Sequence, residues 1–379
     1  MELWTKRGIK WTANTITLLV IFICLEVFIK CYAKTTYYKS TKLKSNCRAK
    51  SSFLWSIKRS ASLESLEESP VSYFFGTIHV PYTRVWDSIP NRAKIAFQTS
   101  HNIFFELDLL NPLTASTLSK CQMLPKGVKL IDVLPSDLYL RLRRHLDYVR
   151  QKLPSWMTPD QRARGYYAQY LYNAITHNWQ LKRPVWVMLM INSLTESDIK
   201  SKDIPVLDMY LAQEAQRLNK QIGSVERVEE QCIPLNGLNF SQVVFALNQT
   251  LYQHESIRLG ILSSTLTTDD LIKHYNCGYL NELIFNYDTS QVPKIIRNKR
   301  TQDIELAKQI DNYFKSEIII KRNKRMSERV VTILQTNPNQ SFFFAFGTAH
   351  FLGNYSIFNY MKNSGFEINQ VIDSRPKPR

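Results

Sequence analysis

The chain has 379 residues, of which 44% are hydrophobic and 12% aromatic. This is enough apolar material for one large domain or two ordinary ones, and it excludes a globally disordered protein. The formal net charge is +17, but residues 1–60 alone hold 12 Lys and Arg against two Glu. Because most of the basic excess lies in this terminal segment, we predict no nucleic-acid partner.

The N-terminal segment has the pattern of a targeting sequence. A basic start precedes an apolar run from Thr15 to Ile29, and residues 31–33 offer a cleavage site. The run is shorter than the ~20 residues of a spanning helix, and Glu26 within it would be costly in a bilayer. We predict a signal peptide or signal anchor over residues 1–33, with a buried helix as a third interpretation.

Passage through the secretory pathway, to the cell surface membrane or the extracellular space, would oxidise the cysteines that follow this segment. They number four, and none has the paired spacing of a zinc site, so two disulfides are predicted, with three pairings open. These cysteines are Cys47, Cys121, Cys232 and Cys277. Four glycosylation sequons are consistent with the same route, at Asn239, Asn248, Asn339 and Asn354.

The first half of the folded region predicts alternating strands and helices. Residues 34–45 form a basic linker, and SFLWSIKR at 52–59 is a first strand. After VSYFFGTIHV at 71–80, NRAKIAFQTS at 91–100 has the spacing of an amphipathic helix, and NIFFELDLL at 102–110 is typical of a buried strand. Strand, helix and strand in this order favour a parallel unit with the helix as crossover.

The middle of the chain is predicted to be mainly helical. PSDLYLRLRRHLDYVRQKL at 135–153 begins with a proline and a Ser cap and has apolar residues at helical spacing. The segments 159–179 and 204–220 show the same pattern, and each is predicted as one helix. QIGSVE at 221–226 is a short strand that follows the last of them.

The C-terminal part completes the sheet. A long amphipathic stretch from Asp303 to about Gln335 leads into SFFFAFGTAHF at 341–351, and residues 354–372 predict a helix, a stop at Gly365 and an edge strand. The whole pattern indicates an α/β fold. It comprises a central mixed sheet with helices on both faces and a helical middle region.

One short phrase occurs twice, as FFGTIHV at 74–80 and as FAFGTAHF at 344–351. In each, a strand is expected to end at a glycine, which permits close approach by a ligand or a second backbone. Ligands of open parallel sheets collect beyond the carboxyl ends of the strands, where His79 and His350 would both lie. Two imidazoles brought together from distant strands predict a divalent-metal site, although a lone histidine is more often structural.

The third ligand of such a site should be a carboxylate. FFELDL supplies Glu106 and Asp108, which at spacing i, i+2 would leave a strand on one face. Two buried acids in an apolar run would need compensation by a metal or by an arginine, such as those of KRNKRM at 321–326. The alternatives are a structural ion pair for Glu106 and a solvated helix face for KRNKRM.

A set of longer phrases resembles the Tiki metalloproteases of the wider TraB group. The phrases are FFGTIHVPYTRVWDSIP, FFELDL, CQMLP, WMTPDQR, RPVWVMLMINSLTE, VEEQC, PLNGLNFSQVVFALNQTL, DLIKHYNCG, KRNKRM and FFFAFGTAHFLGN. The resemblance covers residues 46–379, which it implies are one catalytic domain, and it implies a fold related to erythromycin esterases and ChaN proteins. It further implies a protease that depends on manganese or cobalt rather than zinc, cleaves the amino-terminal region of Wnt proteins and negatively regulates Wnt signalling.

The resemblance also implies the site residues. The family's two GxxH motifs fall on His79 and His350, its essential acid on Glu106, and its Arg-Asn-x-x-Met phrase on Arg322, Asn323 and Met326. We therefore predict His79, His350 and Glu106 as metal ligands and Glu106 and Arg322 as catalytic. Glu106 would be a ligand or the base that takes a proton from water, and Arg322 would hold the oxyanion or orient Glu106.

One feature departs from the family. Vertebrate-type members carry a hydrophobic anchor after the catalytic domain, whereas this sequence ends at SRPKPR. The expectation is that the protein is secreted free or associates with a membrane through its N-terminal segment. Two other functions remain open: metal-dependent ester hydrolysis of a small molecule, and ligand binding without catalysis.

Overall fold

The computed structural model describes residues 51–59, 70–261, 268–278, 280 and 301–372. The predicted targeting segment, the linker and Cys47 lie outside the described residues. The strands are β1 Ser51–Arg59, β2 Ser72–Thr77, β3 Asn102–Phe105, β4 Gln221–Ser224, β5 Phe342–Gly347 and β6 Phe366–Ile372.

The helices between β2 and β4 are α1 Asn91–Thr99, α2 Pro112–Cys121, α3 Leu130–Val133, α4 Ser136–Trp156, α5 Pro159–Arg162, α6 Tyr167–Thr176, α7 Pro184–Asn192, α8 Glu196–Lys200 and α9 Leu207–Arg217. After β4 come α10 Val228–Asn236, α11 Phe240–Arg258, α12 Thr268–Asn276, α13 Thr301–Phe314, the π-helical segment Lys315–Ile320, α14 Lys321–Thr336 and α15 Ile357–Asn363. None of these helices in the described part of the chain is long and apolar enough to cross a membrane.

The six strands form one mixed sheet in the order β4-β3-β5-β2-β1-β6. The four strands from β4 to β2 run parallel, and β1 pairs antiparallel with both β2 and β6. The predicted crossover from β2 through α1 to β3 is present, but β5 lies between the two strands. The predicted edge position of the last strand is confirmed.

Helices cover both faces of the sheet, as predicted, because the inner strands are apolar on both sides. Along β5, Phe342, Phe344 and Phe346 pack with Met326 and Val330 of α14 on one face. Phe343 and Ala345 face the opposite side, where α1 and α9 pack. Because successive side chains of a strand point to opposite faces, the Phe-rich strand β5 is buried on both faces.

The helical middle region has its own core, centred on α7. Eight of its nine residues are buried, from Pro184 to Ile191, and α4 and α11 pack around it. The disulfide Cys121–Cys232 joins α2 to α10 at this core, and Cys277 is also disulfide-bonded. The helical middle predicted from periodicity is confirmed.

Three local predictions were wrong. The strand predicted over 102–110 ends at Phe105, and the helix predicted over 159–179 is split between α5 and α6, where Gly165 has φ +65°. The predicted Ser cap of α4 is absent, because Pro135 occupies the N-cap without a side-chain hydrogen bond and Ser136 is already helical. The long amphipathic stretch predicted before β5 is helical, and it includes six π-helical residues between α13 and α14.

Candidate active site

Each of the four parallel strands delivers one polar side chain to the same edge of the sheet. Glu106 follows β3 directly, Glu226 lies two residues after β4, His79 two after β2 and His350 three after β5. The carboxyl ends of these strands meet at one edge because the strands are parallel and in register, with Thr77 opposite Gly347 and Phe105 opposite Ala345 and Ser224. The sheet therefore brings together residues that are up to 271 positions apart.

Glu106 is buried and bound at both carboxylate oxygens. Its Oε2 accepts a hydrogen bond of 2.6 Å from Nη2 of Arg322. Its Oε1 accepts one of 2.8 Å from the Gly347 N–H and lies 3.4 Å from Nε2 of His350. Burial raises the pKa of Glu106, but His350 and Arg322 outweigh burial and hold the pKa well below its usual range. Glu106 is therefore an anion in the folded protein.

Arg322 of α14 links Glu106 to a second buried acid, Glu226. Its Nε and Nη2 donate to Oε1 and Oε2 of Glu226 at 2.9 and 2.6 Å. Burial lowers the pKa of Arg322, but the two carboxylates raise it by more, so that the guanidinium stays charged. Gln231 donates to Oε2 of Glu226 at 2.9 Å from α10, which adds a further hydrogen bond to the pair.

His79 is held by a carboxylate of α9. Its Nδ1 lies 2.6 Å from Oδ2 of Asp208, and Oδ1 of Asp208 accepts a hydrogen bond of 2.6 Å from the Thr77 hydroxyl. Asp208 is only 4% exposed. Since a carboxylate only accepts, Nδ1 of His79 must carry the proton, and any metal would bind at Nε2.

His350 is held in the corresponding way by an amide. Its Nδ1 hydrogen-bonds to Oδ1 of Asn323, while Nδ2 of Asn323 donates to the Tyr355 carbonyl at 2.7 Å. The second bond orients the amide, so that its oxygen faces the imidazole and Nδ1 again carries the proton. Both histidines therefore have the tautomer of a metal ligand whose other nitrogen is held by an acceptor.

The two Gly-Thr-x-His turns are also bonded to each other. The Thr348 hydroxyl donates to the Thr77 carbonyl at 2.8 Å, and the Tyr275 hydroxyl donates to the Gly76 carbonyl at 2.7 Å. A Cβ at Gly347 would lie 3.2 Å from Oε1 of Glu106. The close approach predicted for these glycines is present at Gly347, where the approaching group is the site carboxylate.

Two of the three predicted metal ligands have the spacing of ligands on one ion. Among the described residues, no three His, Cys, Asp or Glu side chains form a group that could hold a metal as they stand. The 3.4 Å between Nε2 of His350 and Oε1 of Glu106 is nevertheless the spacing of neighbouring ligands on a tetrahedral ion with bonds of ~2.1 Å. His350 and Glu106 thus have ligand spacing, and His79, which follows the strand adjacent to that of His350, is the predicted third ligand.

The net charge of the buried groups at this edge of the sheet also favours a divalent cation. Glu106, Glu226 and Asp208 are buried carboxylates, and Arg322 is the one cation bonded to any of them in the part of the chain that the structure describes. Three carboxylates and one guanidinium sum to −2, and imidazoles in the neutral form that binds metal would add no charge. Burying uncompensated charge is costly, so a divalent cation fits the donor set and its charge.

Sequence reasoning found Glu106 and Arg322 but missed Asp208 and Glu226. Each of the two missed residues had a signal: Asp208 is an acid inside an otherwise apolar helix face, and Glu226 follows a strand end as Glu106 does. The prediction that Asp108 shares a strand face with Glu106 was wrong, because β3 ends at Phe105. Asp108 instead accepts a hydrogen bond from the Leu110 N–H in the following turn. Met326 lies in the core, with no exposed surface.

The TraB/PrgY/gumN family model matches residues 53–370. Curated relatives include Metalloprotease TIKI2 of Danio rerio, 61% identical over 86% of this chain and 62% of the relative, and Metalloprotease TIKI1 of Homo sapiens, 56% identical over 87% and 65%. A Metalloprotease TIKI homolog of Nematostella vectensis is 50% identical over 86% of this chain and 68% of the relative. The chain thus spans a little under two thirds of the first two relatives. No solved structure matches it.

Proposed function

The chain belongs to the TraB/PrgY/gumN family, and on that premise we propose that it is a divalent-metal-dependent protease. The observation that carries the proposal is the pair of histidines on adjacent parallel strands, each with Nδ1 held by an acceptor, beside one buried carboxylate. The names of the similar proteins, metalloproteases of several animals, support the same activity.

His79, His350 and Glu106 would hold the ion. When bound, a divalent ion supplies Lewis acidity, which activates water and polarises a scissile carbonyl. The two imidazoles would bind through Nε2, because Asp208 and Asn323 occupy their Nδ1 atoms.

The contacts of Glu106 favour a ligand over a general base. A general base must take a proton from water, whereas the buried guanidinium of Arg322 favours the ionised form of Glu106 whether His350 is charged or neutral. Its Oε2 is occupied by Arg322, and its Oε1 faces His350. Arg322 would therefore orient Glu106, which is one of the two roles that the sequence left open.

The substrate, metal and location are proposals that rest on the resemblance to the Tiki metalloproteases. We propose that the protein cleaves the amino-terminal region of Wnt proteins and negatively regulates Wnt signalling, with manganese or cobalt as the ion. It would act in the secretory pathway, at the cell surface membrane or outside the cell, as a glycoprotein. The segment over residues 1–33 would deliver it there and would provide any membrane association.

Mass spectrometry of a Wnt amino terminus tests the proposal. The full chain should shorten that terminus, EDTA should stop the reaction, and added Mn²⁺ or Co²⁺ should restore it. His79→Ala, His350→Ala and Glu106→Gln should reduce cleavage to background, whereas exposed His177→Ala should leave the rate unchanged. Protons compete with metal for imidazole below its reference pKa of about 6.5, so the rate should fall as pH drops through about 6.

Each of the other possible outcomes of this experiment would exclude one part of the proposal. Cleavage that survives EDTA but not the histidine variants would exclude a metal. Hydrolysis of a small ester, with Wnt left intact, would favour the esterase alternative. Wnt binding without any hydrolysis in the presence of Mn²⁺ or Co²⁺ would favour the non-catalytic alternative.

A further inference from the structure

Neither the matched family nor the names of the relatives assign a role to Asp208. Asp208 lies in the first turn of α9. This helix packs against the sheet through Leu207, Leu211 and Ala212. An aspartate on this apolar face is 4% exposed, which is unusual for a carboxylate without a specific partner. Its two oxygens are divided between the His79 ring and the Thr77 hydroxyl.

We propose that Asp208 is a positioning residue for His79, which acts through the hydrogen bond to Nδ1 to present Nε2 to a divalent cation. The inference rests on the proposed metal-dependent function. Thr77 fixes the carboxylate from the other side, since its hydroxyl lies 2.6 Å from Oδ1. The same threonine precedes His79 by two residues on the chain, so the strand end and the helix together restrict the imidazole.

The two histidines differ in the acceptor that holds them. His79 has a charged carboxylate, whereas His350 has the neutral amide of Asn323. A carboxylate acceptor increases the basicity of the imidazole more than an amide does, and such outer partners typically change metal affinity by about 10- to 100-fold. His79 is therefore the stronger donor of the two, and Asp208 is the residue that makes it so.

Two substitutions at one position separate the hydrogen bond from the charge. Asp208→Ala removes both, while Asp208→Asn removes the charge but keeps an oxygen that can accept from Nδ1. Asp208→Asn would reproduce at His79 the arrangement that His350 already has with Asn323. The difference in metal affinity between the two variants therefore measures the hydrogen bond alone.

The measurement is the Co²⁺ dissociation constant of the full chain, obtained by competition with a chelator of known affinity. Asp208→Ala should weaken Co²⁺ binding by about 10- to 100-fold, and Asp208→Asn should lie between Asp208→Ala and the wild type. Thr77→Val, which loses the hydroxyl but keeps its shape, should weaken binding by less than Asp208→Ala. Glu214→Gln is the matched control, since Glu214 is on the same helix but pairs with Arg217 on the exposed side.

Thermal unfolding without metal shows whether each variant is folded. If Asp208→Ala does not fold, the Co²⁺ affinities of Asp208→Asn and Thr77→Val still test the inference. Affinities equal to that of the wild type in both variants would overturn it. Equal affinities of folded Asp208→Ala and Asp208→Asn would also overturn it, since only charge would then matter. A wild-type protein that binds no Co²⁺, Mn²⁺ or Zn²⁺ would instead overturn the proposed function.

Discussion

Buried ionisable groups are handled in opposite ways in the sheet and in the helical middle region. At the sheet edge, Glu106, Arg322 and Glu226 are charged, and each is bonded to an opposite charge. In the helical region, His145 of α4 is 4% exposed, and neither ring nitrogen has a hydrogen-bond partner among the residues that the structure describes. The sheet edge buries charges that are paired, whereas the helical region buries an imidazole whose lowered pKa keeps it neutral near pH 7.

The difference indicates where each region is vulnerable. A paired cluster is damaged by removing one member, because the charges that remain are buried without compensation. A buried histidine that is neutral tolerates apolar replacement, but acid destabilises it, because protonation would place a charge where burial makes the charged form unfavourable. Substitution should therefore affect the sheet edge most, and acid the helical region.

The largest effect is expected for Arg322→Met. This change leaves the buried carboxylates Glu106 and Glu226 facing each other without the cation that both contact. Removing one partner from a buried ionic cluster typically costs about 3 to 5 kcal/mol. The free energy of unfolding in urea measures the loss, and adding Glu226→Gln to Arg322→Met should recover part of it, because one carboxylate is then neutral.

Arg329→Met is the matched control for that experiment. Arg329 lies two turns along the same helix and pairs with Glu230 at 2.7 Å, but its side chain is 32% exposed. Pairs at this exposure contribute at most about 1 kcal/mol. If Arg322→Met were no more destabilising than Arg329→Met, the buried cluster would not be the more vulnerable region.

The second prediction concerns acid and His145. Burial lowers the pKa of His145 from 6.5 to about 4, with a further lowering by Arg258 and an opposing effect of Glu255. Between these values the unfolded chain binds more protons than the folded one, so stability is lost as pH falls from about 6.5 toward 4. A shift of this size corresponds to about 3 kcal/mol at the acid end.

His145→Leu should remove this part of the pH dependence. At pH 7 the variant should be as stable as the wild type or more so, because the two unpartnered ring nitrogens are gone. Urea unfolding at pH 7, 5.5 and 4.5 measures both effects, and exposed His177→Leu is the control. An unchanged slope between pH 6.5 and 4.5 in His145→Leu would show that other groups cause the acid sensitivity.

These two regions also show what a sequence can reveal. The sheet was predictable, because Phe-rich runs that end in Gly-Thr-x-His carry apolar residues on both faces. The pairing of Glu106 with an arginine of KRNKRM followed from the cost of a buried acid, and the structure shows this pair with Arg322. In each case the signal is local or follows from a single physical cost.

The missed features depend on contacts between distant segments. Glu226 shares the strand-end position of Glu106, but it follows a four-residue strand of mixed exposure, so its position alone does not mark it as buried, and its partner Arg322 is 96 residues away. Asp208 and His79 are 129 residues apart. The lack of hydrogen bonds to His145 within the described residues could not be predicted either, because helical periodicity places it in the core but says nothing about which groups surround its nitrogens.

The smallest effect is expected for Gly347→Ala, which tests how tightly Gly347 packs against the carboxylate of Glu106. The new Cβ would lie 3.2 Å from Oε1 of Glu106, the atom that accepts the Gly347 N–H. The carboxylate would shift but keep its hydrogen bond to Arg322. We therefore expect a stability loss of about 1 to 2 kcal/mol, which is part of the energy of one charge-assisted hydrogen bond.

Gly365→Ala is the control. It should cost a similar amount for a different reason, since φ is +81° there and no atom lies within 4 Å of the added Cβ. Only Gly347→Ala should also weaken Co²⁺ binding, because it alone moves a proposed ligand; equal Co²⁺ affinities of the two variants would mean that the position of Glu106 does not matter to the ion.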